Sequence, residues 1–349
     1  MNKFVLPFLG LILFLVPCTA SESPEQSQKS AEKLQSEIEK SSPDTTSNYE
    51  GRNIENLVLK GGGVLGIAYA GAIKELENEG LLKKIKRVAG TSAGSITAAL
   101  IALNYSAGEI TTIVSSTNFN SFEDHKNPLH IATKYGLYEG VFLLDWIEEL
   151  IHKKTNNAKI TFGEMEALGH KELRVFSSDL TDGVIQEFSA RKTPNAVVSE
   201  SIRASMSIPL FFEAWKFPNA IPDDHFYVDG GLIYNYPITT FSPENTLGFY
   251  LINKSKYPQL ATGEDHVVSD NQLQDDQLLK YIEKLFITMR ESQQLDFMQD
   301  EDQKAISVLI DDFGISPLDF TLGDDDKKKL YEEGMSATKK YLSTPIEID

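Results

Sequence analysis

Residues Val88-Ala89-Gly90-Thr91-Ser92-Ala93-Gly94-Ser95-Ile96 decide how this chain is read. A short apolar run meets G-x-S-x-G at 90–94, and a small-residue stretch through Ala98, Leu100 and Leu103 follows it. Strand, sharp turn and helix in that order lift a serine hydroxyl clear of a sheet. Gly90 and Gly94 fit, because side chains there would collide with the neighbouring strand and helix. The helix then aims its N-terminal dipole at Ser92 and favours negative charge developing beside it. The stretch reads as a nucleophile elbow.

The same order occurs one unit upstream. Leu57-Val58-Leu59 is a buried-strand candidate that runs into Gly61-Gly62-Gly63-Val64-Leu65-Gly66. Helical periodicity follows through Ile67, Ala70, Ile73 and Leu76, and Gly80 falls where a helix C-terminal glycine is expected. Two strand–turn–helix units in succession predict a parallel α/β layer fold. A dinucleotide-binding turn would want an acidic residue at the end of the next strand, and that strand ends in Gly90-Thr91-Ser92. A phosphate-binding P-loop would need Gly-Lys-Ser/Thr after the glycines, and none occurs. The remaining reading is a backbone oxyanion hole, in which amide N–H groups at a helix start stabilise a tetrahedral alkoxide.

Further along, the pattern is mainly helical from 105 to 170, with an amphipathic candidate from Phe142 to Ile151 that includes Trp146. Strands are expected at 173–176, 186–189, 226–228 and 247–252, and helices at 197–204, 271–299 and 324–342, the last two separated by Val308-Leu309-Ile310. The strand at 226–228 runs into Asp229-Gly230-Gly231. A serine nucleophile needs a base. None of the six histidines (125, 130, 152, 170, 225, 266) sits in a motif or has metal-ligand spacing. His266 alone follows the aspartate, and its acidic setting, Gly263-Glu264-Asp265, suits a solvated surface residue.

Taken together, these residues resemble the patatin-like phospholipases. G-G-G-x-x-G at 61–66, G-x-S-x-G at 90–94 and D-G-G at 229–231 stand in that family's order and approximate spacing. Ser177-Ser178-Asp179-Leu180 and Ser201-Ile202-Arg203-Ala204-Ser205-Met206-Ser207-Ile208-Pro209 resemble its intervening segments, so the likeness covers about 53–255. The resemblance implies a three-layer α/β/α domain with a mainly parallel central sheet. It implies a dyad in which Ser92 is the nucleophile and Asp229 accepts its proton directly. Gly61, Gly62, Gly63, Val64 and Gly66 would form the oxyanion loop, with Gly90, Gly94, Gly230 and Gly231 supporting the motifs. The implied activity is lipid acyl hydrolysis of the phospholipase A or lysophospholipase type, without metal or organic cofactor. The substrate would be a phospholipid or other acyl lipid met at a membrane surface, and the need for a protein activator stays open. A soluble carboxylesterase or thioesterase, and a non-catalytic lipid-binding domain, are the alternatives. Many bacterial members carry Arg or Lys where this chain has Leu65, and other branches accept an apolar residue there.

Composition bounds the class of protein but decides little about its activity. The 349 residues are 41% hydrophobic, enough to bury a full core, and the net charge of −18 argues against a nucleic-acid partner. Asn2-Lys3, the apolar run Phe4–Val16 and the small residue Ala20 have the layout of a secretory signal peptide over 1–20. Export to a periplasm or the exterior is therefore expected. Cys18, the sole cysteine, falls within that segment, and a lipid-anchored form there is the lesser alternative. Residues 21–52 read as a polar tether, 53–255 as the patatin-like domain, and 256–349 as a helical extension packed on it.

Overall fold

The computed structural model describes residues 53–256 and 278–344. The signal-peptide reading with Cys18, the tether and His266 lie outside the described residues. Among the described residues nine strands follow one another: β1 (Asn56–Leu59), β2 (Arg87–Thr91), β3 (Gly136–Tyr138), β4 (Glu172–Asp179), β5 (Val184–Ser189), β6 (Leu210–Phe212), β7 (Tyr227–Asp229), β8 (Thr246–Ile252) and β9 (Ser307–Asp311). Seven of them make one sheet in the order β5-β4-β2-β1-β8-β9, with β7 also paired to β4, while β3 and β6 form a separate ribbon. The core of the sheet, from β4 to β9, is parallel, and β5 and β7 run antiparallel to β4.

Parallel strands buried on both faces need apolar residues throughout rather than alternation. β1 and β8 meet that requirement, for every residue of both is buried. Successive side chains still point to opposite faces. Leu57, Leu59, Val88, Leu247, Phe249 and Leu251 enter one core, and Val58, Ala89, Tyr250 and Ile252 enter the other. Fully burying such a side chain stabilises the fold by roughly 1.5–3 kcal/mol.

The helices that cover the sheet and frame its C-terminal edge are α1 (Ile67–Asn78), α2 (Ala93–Ala102), α3 (Val141–Thr155), α4 (Val198–Ser205), α5 (Leu278–Gln299) and α6 (Asp324–Ser343). Residues of α1, α2 and α6 fill the first core, and Phe297 and Met298 of α5 fill the second. The three-layer α/β/α arrangement with a mostly parallel sheet is therefore the one the motifs implied. Helices α1 and α6 approach closely through glycine. A Cβ on Gly71 would stand 1.9 Å from the Tyr331 carbonyl oxygen, and one on Gly334 would stand 1.9 Å from that of Ala68. Beyond residue 255 the chain still builds the sheet, since β9 pairs with β8 along Gly248–Ile252. The ribbon of β3 and β6 has no counterpart among the expected strands, because strands of three residues are too short to show a period.

Candidate active site

Strand β4 sets the geometry. Along one edge, its Phe176 pairs with Thr91, the last residue of β2, and its Ser177 pairs with Asp229, the last residue of β7. The ends of two strands thus occupy consecutive rungs. Ser92, the residue after Thr91, is delivered beside Asp229, although 137 positions separate them in the chain.

The elbow is strained as its motif requires. Ser92 has φ 52° and ψ −130°, a conformation rare for a side-chain-bearing residue. A Cβ on Gly90 would lie 2.3 Å from the Gly94 carbonyl oxygen, and one on Gly94 would lie 2.4 Å from that of Leu59. Both glycines are therefore steric necessities. The strain is held by bonds around the serine. The Ser205 hydroxyl accepts from Ser92 N at 2.8 Å and donates to the Phe176 carbonyl at 2.5 Å. The Ser92 carbonyl accepts from Ser95 N and Oγ.

Ser92 Oγ donates to Asp229 Oδ2 at 2.6 Å, and both residues are fully buried. The other carboxylate oxygen accepts from Gly231 N at 2.7 Å. The backbone of Asp229 is pinned as well, with its N–H donating to the Ser207 carbonyl and its own carbonyl accepting from Ser178 Oγ. Burial pushes the Asp229 carboxyl up to about 7, against the opposing pull of its bonds from Ser92 and Gly231. At neutral pH such a group takes a proton far more readily than an exposed aspartate does.

The glycine loop lies next to this pair. A Cβ on Gly61 would stand 3.1 Å from Ser92 Cβ, and one on Gly66 would stand 3.2 Å from Ala93 Cβ. Among the described residues, the N–H groups of Gly62 and Gly63 donate to no partner. Those of Gly61 and Val64 are already engaged, by the carbonyls of Asn235 and Pro317 at 3.0 Å each. Of the five loop residues expected from the motif, Gly61 and Val64 are thus tied down through their N–H groups, while those of Gly62 and Gly63 are left open among the described residues. Those anchors brace the loop where Leu65, wholly in the core, supplies no charge. Neither anchor was legible in the sequence, because Asn235 and Pro317 lie far from the loop along the chain.

An apolar cavity opens from the loop, lined by Val64, Ile67, Ile96, Phe122, Trp146, Met206 and Phe320 among others. Met206, on the wall of this cavity, places its Sδ 3.5 Å from Ser92 Oγ. Of the large apolar side chains nearby, Trp146 lines the cavity. Leu143, Phe211 and Phe212 are core, and Phe142 is 44% exposed while its ring packs on Phe122.

No histidine bonds to Ser92 among the described residues. His125, His130 and His225 face the carboxylates of Glu139, Glu213 and Asp179 instead. Among the described residues two groups have metal-ligand composition, His130 with Glu139 and Glu213, and Asp179 with Asp182 and His225. The Lys134 ammonium already stands 3.1 Å from Glu213 in the first. Neither group bonds to the Ser92–Asp229 pair.

Comparison with known proteins identifies the family. Residues 57–242, just over half of the chain, match the family model described as patatin-like phospholipase. The chain belongs to that family, and its class of activity is lipid hydrolysis. It is 29% identical over 312 residues to an uncharacterized protein of Acanthamoeba polyphaga mimivirus, covering 87% of this chain and 98% of that one. It is 38% identical over 202 residues to the uncharacterized protein YqhO of Bacillus subtilis, covering 54% of this chain and 66% of YqhO. A protein of Invertebrate iridescent virus 6 named "Probable lipid hydrolase" is 28% identical over 194 residues, covering 53% of this chain and 62% of that protein. Among solved structures, VipD of Legionella pneumophila superposes with a TM-score of 0.58 at 14% identity, over 85% of this chain and 69% of VipD. The ExoU–SpcU complex of Pseudomonas aeruginosa gives 0.50 at 20%, over 83% of this chain and 51% of the other. At such identities these two likenesses concern the fold.

Proposed function

We propose that this protein is a serine lipid acyl hydrolase of the phospholipase A or lysophospholipase type, acting through a Ser92–Asp229 dyad. The observation that carries the reading is the 2.6 Å bond from Ser92 Oγ to a buried carboxylate, beside two glycine N–H groups that are unpaired among the described residues. Ser92 Oγ attacks the carbonyl carbon of an acyl ester while its proton passes to Asp229 Oδ2. The alkoxide of the tetrahedral intermediate is stabilised by the amides of Gly62 and Gly63. Collapse breaks the ester C–O bond, and Asp229 returns the proton to the departing lysolipid or alcohol. Water then attacks the acyl-serine, giving its proton to Asp229. Expulsion of Ser92 Oγ, reprotonated by Asp229, frees the fatty acid. The acyl chain lies in the apolar cavity beyond Met206. Export through the N-terminal leader, and peripheral contact with a membrane that supplies the lipid, complete the reading.

The test is fatty-acid release from mixed phospholipid vesicles by the purified protein, in the presence of chelator, alongside Ser92→Ala and Asp229→Asn. Worked serine-hydrolase cases lose on the order of a million-fold in turnover with the nucleophile. Chelator-resistant release that both substitutions abolish is expected. Release that survives Ser92→Ala would overturn the mechanism.

A further inference from the structure

Asn235 ends the D-G-G-L-I-Y-N stretch that begins at Asp229. Its backbone is fully used, the N–H donating to Gln293 Oε1 at 3.1 Å and the carbonyl accepting from Gly61 N at 3.0 Å. Its side chain is not. The residue is 2% exposed, yet neither Oδ1 nor Nδ2 has a hydrogen-bond partner among the described residues. Leaving a buried polar group unpaired costs about 1–3 kcal/mol, and such groups are rare where nothing uses them.

The amide is aimed at the dyad. A Cβ on Gly61 would fall 2.2 Å from Asn235 Oδ1 and 3.1 Å from Ser92 Cβ. A Cβ on Gly231 would fall 3.0 Å from Asn235 Oδ1 and 2.9 Å from Asp229 Oδ1. The amide therefore fills the space between the glycine loop and the D-G-G turn, with the carboxylate across Gly231 from it. Two acceptor oxygens on one side of a glycine suit an ionised carboxylate poorly. A half-turn of the amide exchanges Oδ1 for Nδ2 without changing its shape, so the end presented follows the partner's charge.

We propose that Asn235 is a positioning residue for Asp229, its Nδ2 turned toward the carboxylate across Gly231 to favour the ionised form and keep it aligned with Ser92. This rests on the dyad reading above. The groups around Asp229 leave that task open. Ser92 meets it from the elbow, Ser177 and Ser178 from β4, and Ser207 from just beyond α4, all of them uncharged. Among the described residues, no lysine, arginine, histidine or second carboxylate bonds to Asp229. Arg203 reaches it only by way of Ser207, and Lys60 donates to the Leu251 carbonyl.

The experiment is the pH–rate profile for hydrolysis of a soluble nitrophenyl acyl ester by the full-length protein. Asn235→Asp keeps the side chain's shape but sets a second carboxylate beside Asp229. The acid limb should move up by about one pH unit or more, with about five-fold less activity at pH 7, or lower still, that recovers toward pH 9. Asn235→Ala removes the donor and should shift the limb the same way by less, and it decides the matter if the aspartate variant does not fold. Profiles of the folded variants that match the wild type after scaling would overturn the proposal. Ser92→Ala and Asp229→Asn run alongside separate the two levels. If both abolish hydrolysis while the Asn235 profiles stay unshifted, the dyad stands and this inference falls. Hydrolysis surviving in either removes the dyad, and the inference with it.

Discussion

Replacing Asp229 by asparagine should inactivate the protein and, above neutral pH, make it more stable. Burial moves this carboxyl from 3.8 to about 7. A group whose folded-state value lies above its unfolded one contributes stability that is complete below about pH 4 and is lost as pH rises through 7. Each pH unit in that window changes the balance by about 1.4 kcal/mol, so the whole passage is worth up to about 4 kcal/mol, and about 2 after local relaxation. The asparagine side chain cannot ionise, but its oxygen can still accept from Gly231 N while its amide faces Ser92 Oγ. Urea midpoints of the two proteins at pH 5 and pH 8.5 give the comparison, since other titrating groups cancel in the difference. The advantage of the variant should widen by up to about 3 kcal/mol between those pH values, since about two pH units of the window are crossed at about 1.4 kcal/mol each. A difference that stays constant would refute the claim that a desolvated, ionisable carboxyl holds the serine.

Further outcomes can be checked on the same protein. Gly63 combines φ +55° with a Cβ position 1.9 Å from the Pro317 carbonyl oxygen, so Gly63→Ala should displace the loop and cost at least about a hundred-fold in turnover, read on vesicles. Arg203 is fully buried and donates to the carbonyls of Glu139 and Gly140 and to Ser207 Oγ. Arg203→Met should lower unfolding free energy by about 3 kcal/mol or more in denaturant titration, because those acceptors stay buried. Gln293 Nε2 donates to the Gly231 carbonyl at 2.8 Å, tying α5 to the D-G-G turn. Gln293→Ala should lower kcat about ten-fold with a stability change near 1 kcal/mol, measured by paired kinetics and thermal melts.

The strand–turn–helix units and the D-G-G turn were legible because each is a local device, a backbone conformation that only small residues permit. Gly90 and Gly94 carry that information in their identity alone. What escaped the sequence depends on partners distant along the chain. Which loop amides stay free was decided by the carbonyls of Asn235 and Pro317, and nothing local to Gly61 or Val64 reports them. Ser205 looks like a helix-end serine until its hydroxyl is found bridging Ser92 N and the Phe176 carbonyl. The apolar residues near the site were ambiguous for another reason. Hydrophobicity specifies burial, and Trp146 on the cavity wall and Phe212 in the core satisfy it equally.

The adjacent rungs of β4 carry an evolutionary implication. Serine and aspartate are registered against one common ruler, so the long excursion from 92 to 229 does not measure the distance between them. Insertions, deletions or replacements in the parts of that excursion outside β4 and the Ser205–Ser207 turn can reshape what the protein grips without moving serine and aspartate apart. The constraint falls instead on a few rungs of one strand, where a slip by one residue would turn the aspartate to the opposite face of the sheet.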